Sequence, residues 1–136
     1  MIAALSEETI LRGSLDISDS EIDEVYLKKG CEYAAKKGIS SALFKVRILD
    51  KVLCKSRDEV YSFFLGAILS SDYSNIINFP ENTVVIGGKA ALRKAFCLLL
   101  RDTGKIIMAV DDRIADRAAA IGALKMYKGK FKVSNK

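Results

Sequence analysis

Two short apolar runs constrain this chain more than any other feature. Thr83-Val84-Val85-Ile86 and Ile106-Ile107-Met108-Ala109-Val110 carry no polar break and read as buried strands. Between them Leu92, Ala95, Phe96, Leu99 and Leu100 recur at helical spacing, and Thr103-Gly104 closes that segment. Strand, helix, strand is a βαβ unit, with the strands parallel and the crossover right-handed. Asp111-Asp112 opens one more helix, in which Ala115, Ala118, Ala119 and Gly122 give a flat surface for close packing. No third strand is legible. Parallel strands need both faces and their neighbours covered, so the pattern predicts a piece of something larger, or a strand edge that docks on a partner. The alternative is a small, self-sufficient helical domain with a minimal sheet.

The residues before Pro80, the one proline, read as helical. Ser6, Glu8 and Thr9 suggest a short turn ended by Gly13. Ser18, Asp19 and Ser20 offer N-cap oxygens, with Glu21, Asp23 and Glu24 in the first turn, where the helix dipole favours negative charge. Ile22, Val25, Tyr26, Tyr33 and Ala34 share a face, and Lys36-Lys37-Gly38 form a C-terminal stop. Leu43, Phe44, Val46, Ile48, Leu49, Val52 and Leu53 make a second helix. Ser56 caps a third, with Asp58 and Glu59 behind it. There Val60, Phe63, Phe64, Ala67 and Ile68 follow the helical period, and Tyr61, Leu65 and Leu69 widen the stripe. This helix should be buried on more than one side and fade by Asn78. The fold class expected is α/β, helix-rich, with a short parallel βαβα core.

Composition excludes several functions. Half of the 136 residues are hydrophobic and 29% are charged, which argues against disorder. A chain of this size buries roughly 68% of its unfolded surface. The absence of histidine rules out Ser-His-Asp and Cys-His catalysis, and with it most zinc and haem sites. Cys31, Cys54 and Cys97 are odd in number and lack a CxxC, so each reads as a small buried residue in a reducing compartment. No apolar run is long enough to span a membrane, and Met1 to Ile10, with Glu7 and Glu8, is not a secretory signal. A soluble, cytoplasmic chain is expected. The net charge is +5, much of it from Lys125, Lys128, Lys130, Lys132 and Lys136. A basic tail can hold phosphates. With only Tyr127 and Phe131 interleaved it reads as a solvated terminus, and nucleic-acid binding is not expected.

Three places carry candidate chemistry. Ile86-Gly87-Gly88-Lys89-Ala90 takes a strand through two glycines into a helix. Glycine admits positive φ and a ligand's close approach, and the helix start supplies free N–H groups. Ligands of open α/β sheets bind at such strand ends. A tight structural turn would look the same, and the pattern is neither a P-loop nor a GxGxxG fingerprint. Asp111-Asp112, at the matching end of the second strand, reads as a Mg²⁺ or acid–base pair, or as an N-cap. Arg47, among Phe44, Val46 and Ile48, reads as a semi-buried clamp for phosphate or carboxylate, or as the partner of an acidic neighbour.

Taken in order, these segments resemble the 2-dehydro-3-deoxygalactonokinase family. Ser41-Ala42-Leu43-Phe44-Lys45-Val46-Arg47 is similar to that family's "LFSVR" segment. Asp58 to Leu69 is similar to its "DYLSGLLIGAEL", and Ile86 to Leu92 to its "IGGGAL" stretch. Asp112 to Leu124 resembles its closing small-residue helix, and Met1 to Arg12 a segment of the form "GEMFALLSEHSLLR". The resemblance covers nearly the whole chain up to the lysine-rich tail.

The resemblance implies the sugar-kinase, actin and Hsp70-like superfamily, with RNase H-like domains about a nucleotide cleft. It implies phosphoryl transfer from ATP, with Mg²⁺, to a 2-keto-3-deoxy sugar acid. Gly87 and Gly88 would line the adenosine side, with Lys89 at the family's third glycine position narrowing the pocket or reaching a phosphate. Arg47 carries over as an active-site, substrate-binding or domain-packing arginine. The family's "DWGTTNLR" and "PGTHSKW" segments, which carry the phosphate grip and the aspartate that activates the hydroxyl, are not among these residues. The expectation is therefore the C-terminal portion of such a kinase: a nucleotide-binding subdomain over 1–127, a basic flexible tail over 128–136, and no catalytic residue or metal ligand of its own. Its partner would be the missing N-terminal portion, or a second copy meeting it at the apolar helix or strand edge. A non-catalytic interaction or dimerisation module on a kinase-derived scaffold is the alternative.

Overall fold

A computed structural model describes residues 21–111 and, beyond them, residues 113, 114, 117, 118, 121, 122, 124, 125 and 127. Helix α1 (Glu24–Lys37) is capped by Asp23, whose carboxylate accepts the Tyr26 N–H at 2.9 Å. The expected caps, Ser18 to Ser20, lie outside the described residues, and the acidic residue read as part of the first turn is itself the cap. The Asp23 N–H donates to the hydroxyl of Ser62 at 2.8 Å, a polar side chain buried in the core. That bond ties the start of α1 to the third helix and satisfies a hydroxyl that would be costly to bury alone.

Gly38 ends α1, as read, and α2 follows (Ile39–Lys51). Its buried residues, Ala42, Val46 and Leu49, are spaced four and three apart and form one narrow stripe. Helix α3 (Arg57–Asn78) opens with a full capping box: the Ser56 hydroxyl accepts the Glu59 N–H at 3.3 Å and Glu59 accepts the Ser56 N–H at 2.9 Å. Its buried run from Val60 to Ala67 is continuous around the helix, so α3 is central. One face joins Val46, Leu49, Val60, Phe63 and Phe64 in a cluster with α1 and α2. The other joins Leu27, Cys31, Leu65, Leu69, Ala95 and Leu99 in a cluster that reaches the helix after the first strand.

Close packing of α1 on α3, whose N-terminal ends lie together, requires two glycines. A Cβ on Gly30 would lie 2.0 Å from the Phe63 carbonyl oxygen, and one on Gly66 would lie 1.9 Å from that of Leu27. The helices therefore touch backbone to backbone, and Cα–H groups face carbonyl oxygens. Val25, assigned by spacing to the buried face of α1, is 58% exposed; Ala34 is buried as expected, and Leu27, Gly30 and Cys31 are buried with it.

After Pro80 the chain forms β1 (Thr83–Ile86), α4 (Ala90–Leu100), a 3₁₀ turn (Arg101–Thr103) and β2 (Ile106–Ala109). The strands are parallel, Thr83 opposite Ile106 and Ile86 opposite Ala109, as expected of the βαβ unit. Their burial differs from expectation. Val85 is 66% exposed, Ile106 60% and Met108 56%, and these share one face of the sheet. A run without polar breaks suits a strand covered twice, but among the described residues only the α4 side is covered. The described residues from 113 onward are helical. Ala118 there is exposed, and Ala115, Ala119 and the turn expected over Ser6 to Gly13 lie outside the described residues.

Ion pairs fasten the two halves. Lys28 bridges Glu24 at 2.9 Å and Asp102 at 2.8 Å, and Arg101 reaches Glu24 at 3.1 Å. The Lys28 hydrogen bond holds the carboxyls of Glu24 and Asp102 below their ordinary values of 4.5 and 3.8. The Ser56 backbone N–H, before the nearby Lys55, does the same for Glu59, ordinarily 4.5. With folded values depressed, the unfolded chain binds more protons in acid. The stabilisation is fully present above the unfolded values and is lost as pH falls through the folded ones.

Gly30→Ala and Gly66→Ala should each lower stability by more than about 3 kcal/mol in urea denaturation, because helix backbones must separate. Gly87→Ala, whose Cβ would meet only Val110 Cγ2 at 4.0 Å, should stay within about 0.5 kcal/mol of the parent. In a melting series from about pH 6 to about pH 2, Tm should hold above the unfolded carboxyl values and drop below them. Lys28→Gln should flatten the part of that drop due to Glu24 and Asp102.

Candidate functional site

The buried Ile86 ends β1, and the chain emerges through Gly87 and Gly88, both exposed. Gly88 has φ +100°, a conformation that favours glycine, and nothing lies within 4 Å of a Cβ built on it. The outer surface of the turn is thus bare backbone. Lys89 is the N-cap of α4, with extended backbone and no side-chain hydrogen bond to the helix. The first amides of α4 therefore point outward without a side-chain acceptor from their cap, beside the positive end of the helix dipole. One turn into α4, the Arg93 guanidinium donates back to the Gly88 carbonyl. That bond fixes the peptide after the bend.

At the end of β2, the Val110 N–H donates to the Ile86 carbonyl at 2.9 Å and keeps the two strand ends together. Asp111 Oδ1 accepts the Arg113 N–H at 2.9 Å, and the Asp111 carbonyl accepts from Ile114 at 3.1 Å. Asp111 is a helix cap, the structural alternative of the two readings. Asp112 lies outside the described residues. Among the described residues there is no group of three or more Asp, Glu, Cys or His side chains able to hold a metal ion. Nor, among them, is any helix long and apolar enough to cross a membrane.

Arg47 is exposed, not semi-buried. The buried stripe of α2 passes through residues 42, 46 and 49, which turns Phe44 and Arg47 outward. Helix α2 packs on α1 and α3, so Arg47 is not brought to the turn at 87–89. The cysteines also divide. Cys31 is buried, and burial pushes its thiol up to about 11, an unreactive state at neutral pH. Cys97 is half-buried and Cys54 is exposed, at φ +46° after α2, against the expectation of three buried thiols.

A second concave surface has no counterpart among the sequence expectations. Between α1 and α2, above Phe63, a groove of about 380 Å³ carries Lys29, Lys36, Lys45 and Lys55 around Tyr26, Tyr33 and Leu49. Its signal was present in α1: Tyr26, Lys29, Tyr33 and Lys36 are spaced three, four and three apart, which puts rings and ammonium groups on one face.

A search among curated proteins and one among solved structures found no match. A family model described as 2-keto-3-deoxy-galactonokinase matches residues 1–126 of the 136. That span takes in every element above, from the close-packed helices to the strand ends and their glycine turn. The chain belongs to the 2-keto-3-deoxy-galactonokinase family.

Proposed function

We propose that this chain serves ATP-dependent phosphorylation of a 2-keto-3-deoxy sugar acid, as the adenosine side of a nucleotide cleft in an RNase H-like kinase fold. Family membership supports the kinase reading. The observation that carries the assignment of the site is the open turn at Gly87-Gly88, where a Cβ on Gly88 would project into empty space. A flat base or ribose can lie against that backbone without displacing a side chain. In this reading Lys89, exposed at the helix start, meets a phosphate, and the positive end of the α4 dipole favours the same charge. Arg93, bonded to the Gly88 carbonyl, positions the turn.

In phosphoryl transfer the protein's work is positioning and charge stabilisation. In this reading the chain binds and orients the nucleoside, and supplies no base. Mg²⁺ usually keeps several waters and is held by phosphates with one or two carboxylates. The described residues offer it no cage, so a metal would ride on the triphosphate. Arg47 is assigned to the substrate side, where an exposed guanidinium suits a sugar-acid carboxylate. The phosphate-gripping and hydroxyl-activating segments implied by the resemblance come, in this reading, from polypeptide other than these 136 residues.

One observation favours a second reading, an association module on the kinase scaffold. The sheet face bearing Val85, Ile106 and Met108 is apolar and, among the described residues, uncovered, and such a face suits a partner or a second copy.

ATP calorimetry and sedimentation velocity on one sample separate the two. The nucleotide reading expects ATP binding that Gly88→Val weakens at least tenfold and Lys89→Gln weakens less, with both variants keeping the parent's helical circular dichroism. ATP binding that is absent, or unmoved by both variants, would overturn it; self-association without ATP binding would establish the second reading. In a coupled ADP-release assay with a 2-keto-3-deoxy sugar acid, the isolated chain should show no turnover.

A further inference from the structure

The groove between α1 and α2 combines apolar and cationic side chains that the nucleotide turn does not explain. Its floor is apolar and aromatic: Tyr33, Leu49 and Phe63, with the Tyr33 and Phe63 rings 5.9 Å apart and tilted by 57°. A volume near 380 Å³ lies within the range of small-molecule sites. The rim is cationic. Lys29 Nζ stands 4.6 Å from the centre of the Tyr26 ring and Lys55 Nζ stands 5.4 Å from it, so two like charges are held at one ring.

The charge balance is uneven. Of the four lysines, Lys36 pairs with Glu32 at 3.7 Å and Lys55 with Glu59 at 3.2 Å. Lys29 and Lys45 form no ion pair among the described residues, which leaves an excess of two positive charges over an apolar floor. A phosphate monoester carries about −1.5 to −2 at neutral pH and matches that excess. Repulsion between the ammonium groups becomes attraction once an anion stands between them.

We propose that this groove binds the phosphate monoester of a flat, apolar alcohol, with its ring on Tyr33, Phe63 and Leu49 and its phosphate held by Lys29 and Lys45. The site is separate from the turn at 87–89 and does not depend on the kinase reading. Both parts of the ligand are needed. The ring alone lacks the charge contacts, and inorganic phosphate alone leaves the floor wet.

The test is calorimetric titration of the full chain with 1-naphthyl phosphate, 1-naphthol and inorganic phosphate in separate runs. The monoester should bind at least tenfold more tightly than either part. Lys29→Gln combined with Lys45→Gln should weaken it at least tenfold, while Lys94→Gln combined with Lys125→Gln, which removes the same charge elsewhere, should leave it unchanged. Naphthyl protons should show nuclear Overhauser contacts to the Tyr33 ring. These lysines lie at the groove's rim, and an unaltered melting temperature establishes that the variants fold. Equal affinity for naphthol, equal affinity for inorganic phosphate, equal loss in the two double variants, or no binding of the monoester would each overturn the proposal.

Discussion

The contact on which the remaining architecture depends is the one between two helix backbones. Where α1 crosses α3, hydrogen atoms stand at Gly30 and Gly66 in place of side chains, and each glycine faces a main-chain oxygen of the other helix. Any other residue at either position would hold the axes apart. The approach sets the height at which Leu27 and Cys31 reach one side of α3 while Ala34 reaches the other. It thereby divides the interior into two clusters with α3 as their common wall. Helix α2 closes one cluster and α4 the other. The Ser62 hydroxyl, which receives the Asp23 N–H, fixes the sliding position of the pair. Dispersion and weak Cα–H···O contacts are individually small, but a backbone seam collects many of them.

Much of this was legible in the amino-acid order, for identifiable reasons. The capping box of α3 is a local signal that needs no tertiary context, and so is the stop at Gly38. The β-branched run at 83–86 and the apolar run at 106–109 announced strands whose parallel pairing follows from the intervening helix. The misreadings came where periodicity leaves a choice of face. Val25 and Leu27 are both apolar, and only the Gly30 crossing decides which is buried. Arg47 sits in an apolar stretch, yet the one-in-three-or-four stripe of α2 rotates it outward. A strand's burial depends on what covers it, which its own residues cannot state. The Asp111 cap was one of two readings, settled only by a backbone N–H at hydrogen-bond distance.

The two concave regions differ in how sequence encodes them. The turn at 87–88 is written in consecutive residues: a strand, two glycines, a helix start. The lysine–tyrosine groove is divided among α1, α2, the turn after α2 and α3, and only its α1 portion has a recognisable spacing. Family membership addresses the chain as a whole, and does not assign a ligand to either surface. Lys55 also illustrates how one side chain serves both scales: it pairs with Glu59 in the first turn of α3 and faces the Tyr26 ring on α1.

The Lys28 bridge has a consequence for how the molecule opens. It joins α1 to the turn after α4 through partners that are partly in water, where ion pairs are screened and weak. The centre of α3, in contrast, is enclosed on all sides. Local unfolding is therefore graded along the chain. Amide protons of the exposed strands should exchange with solvent at low energy, while those at the middle of α3 and at the buried face of α4 wait for the core to come apart. The exposed strands are thus the labile edge of the fold, and screening by salt weakens the Lys28 tie that holds the turn after α4 to α1.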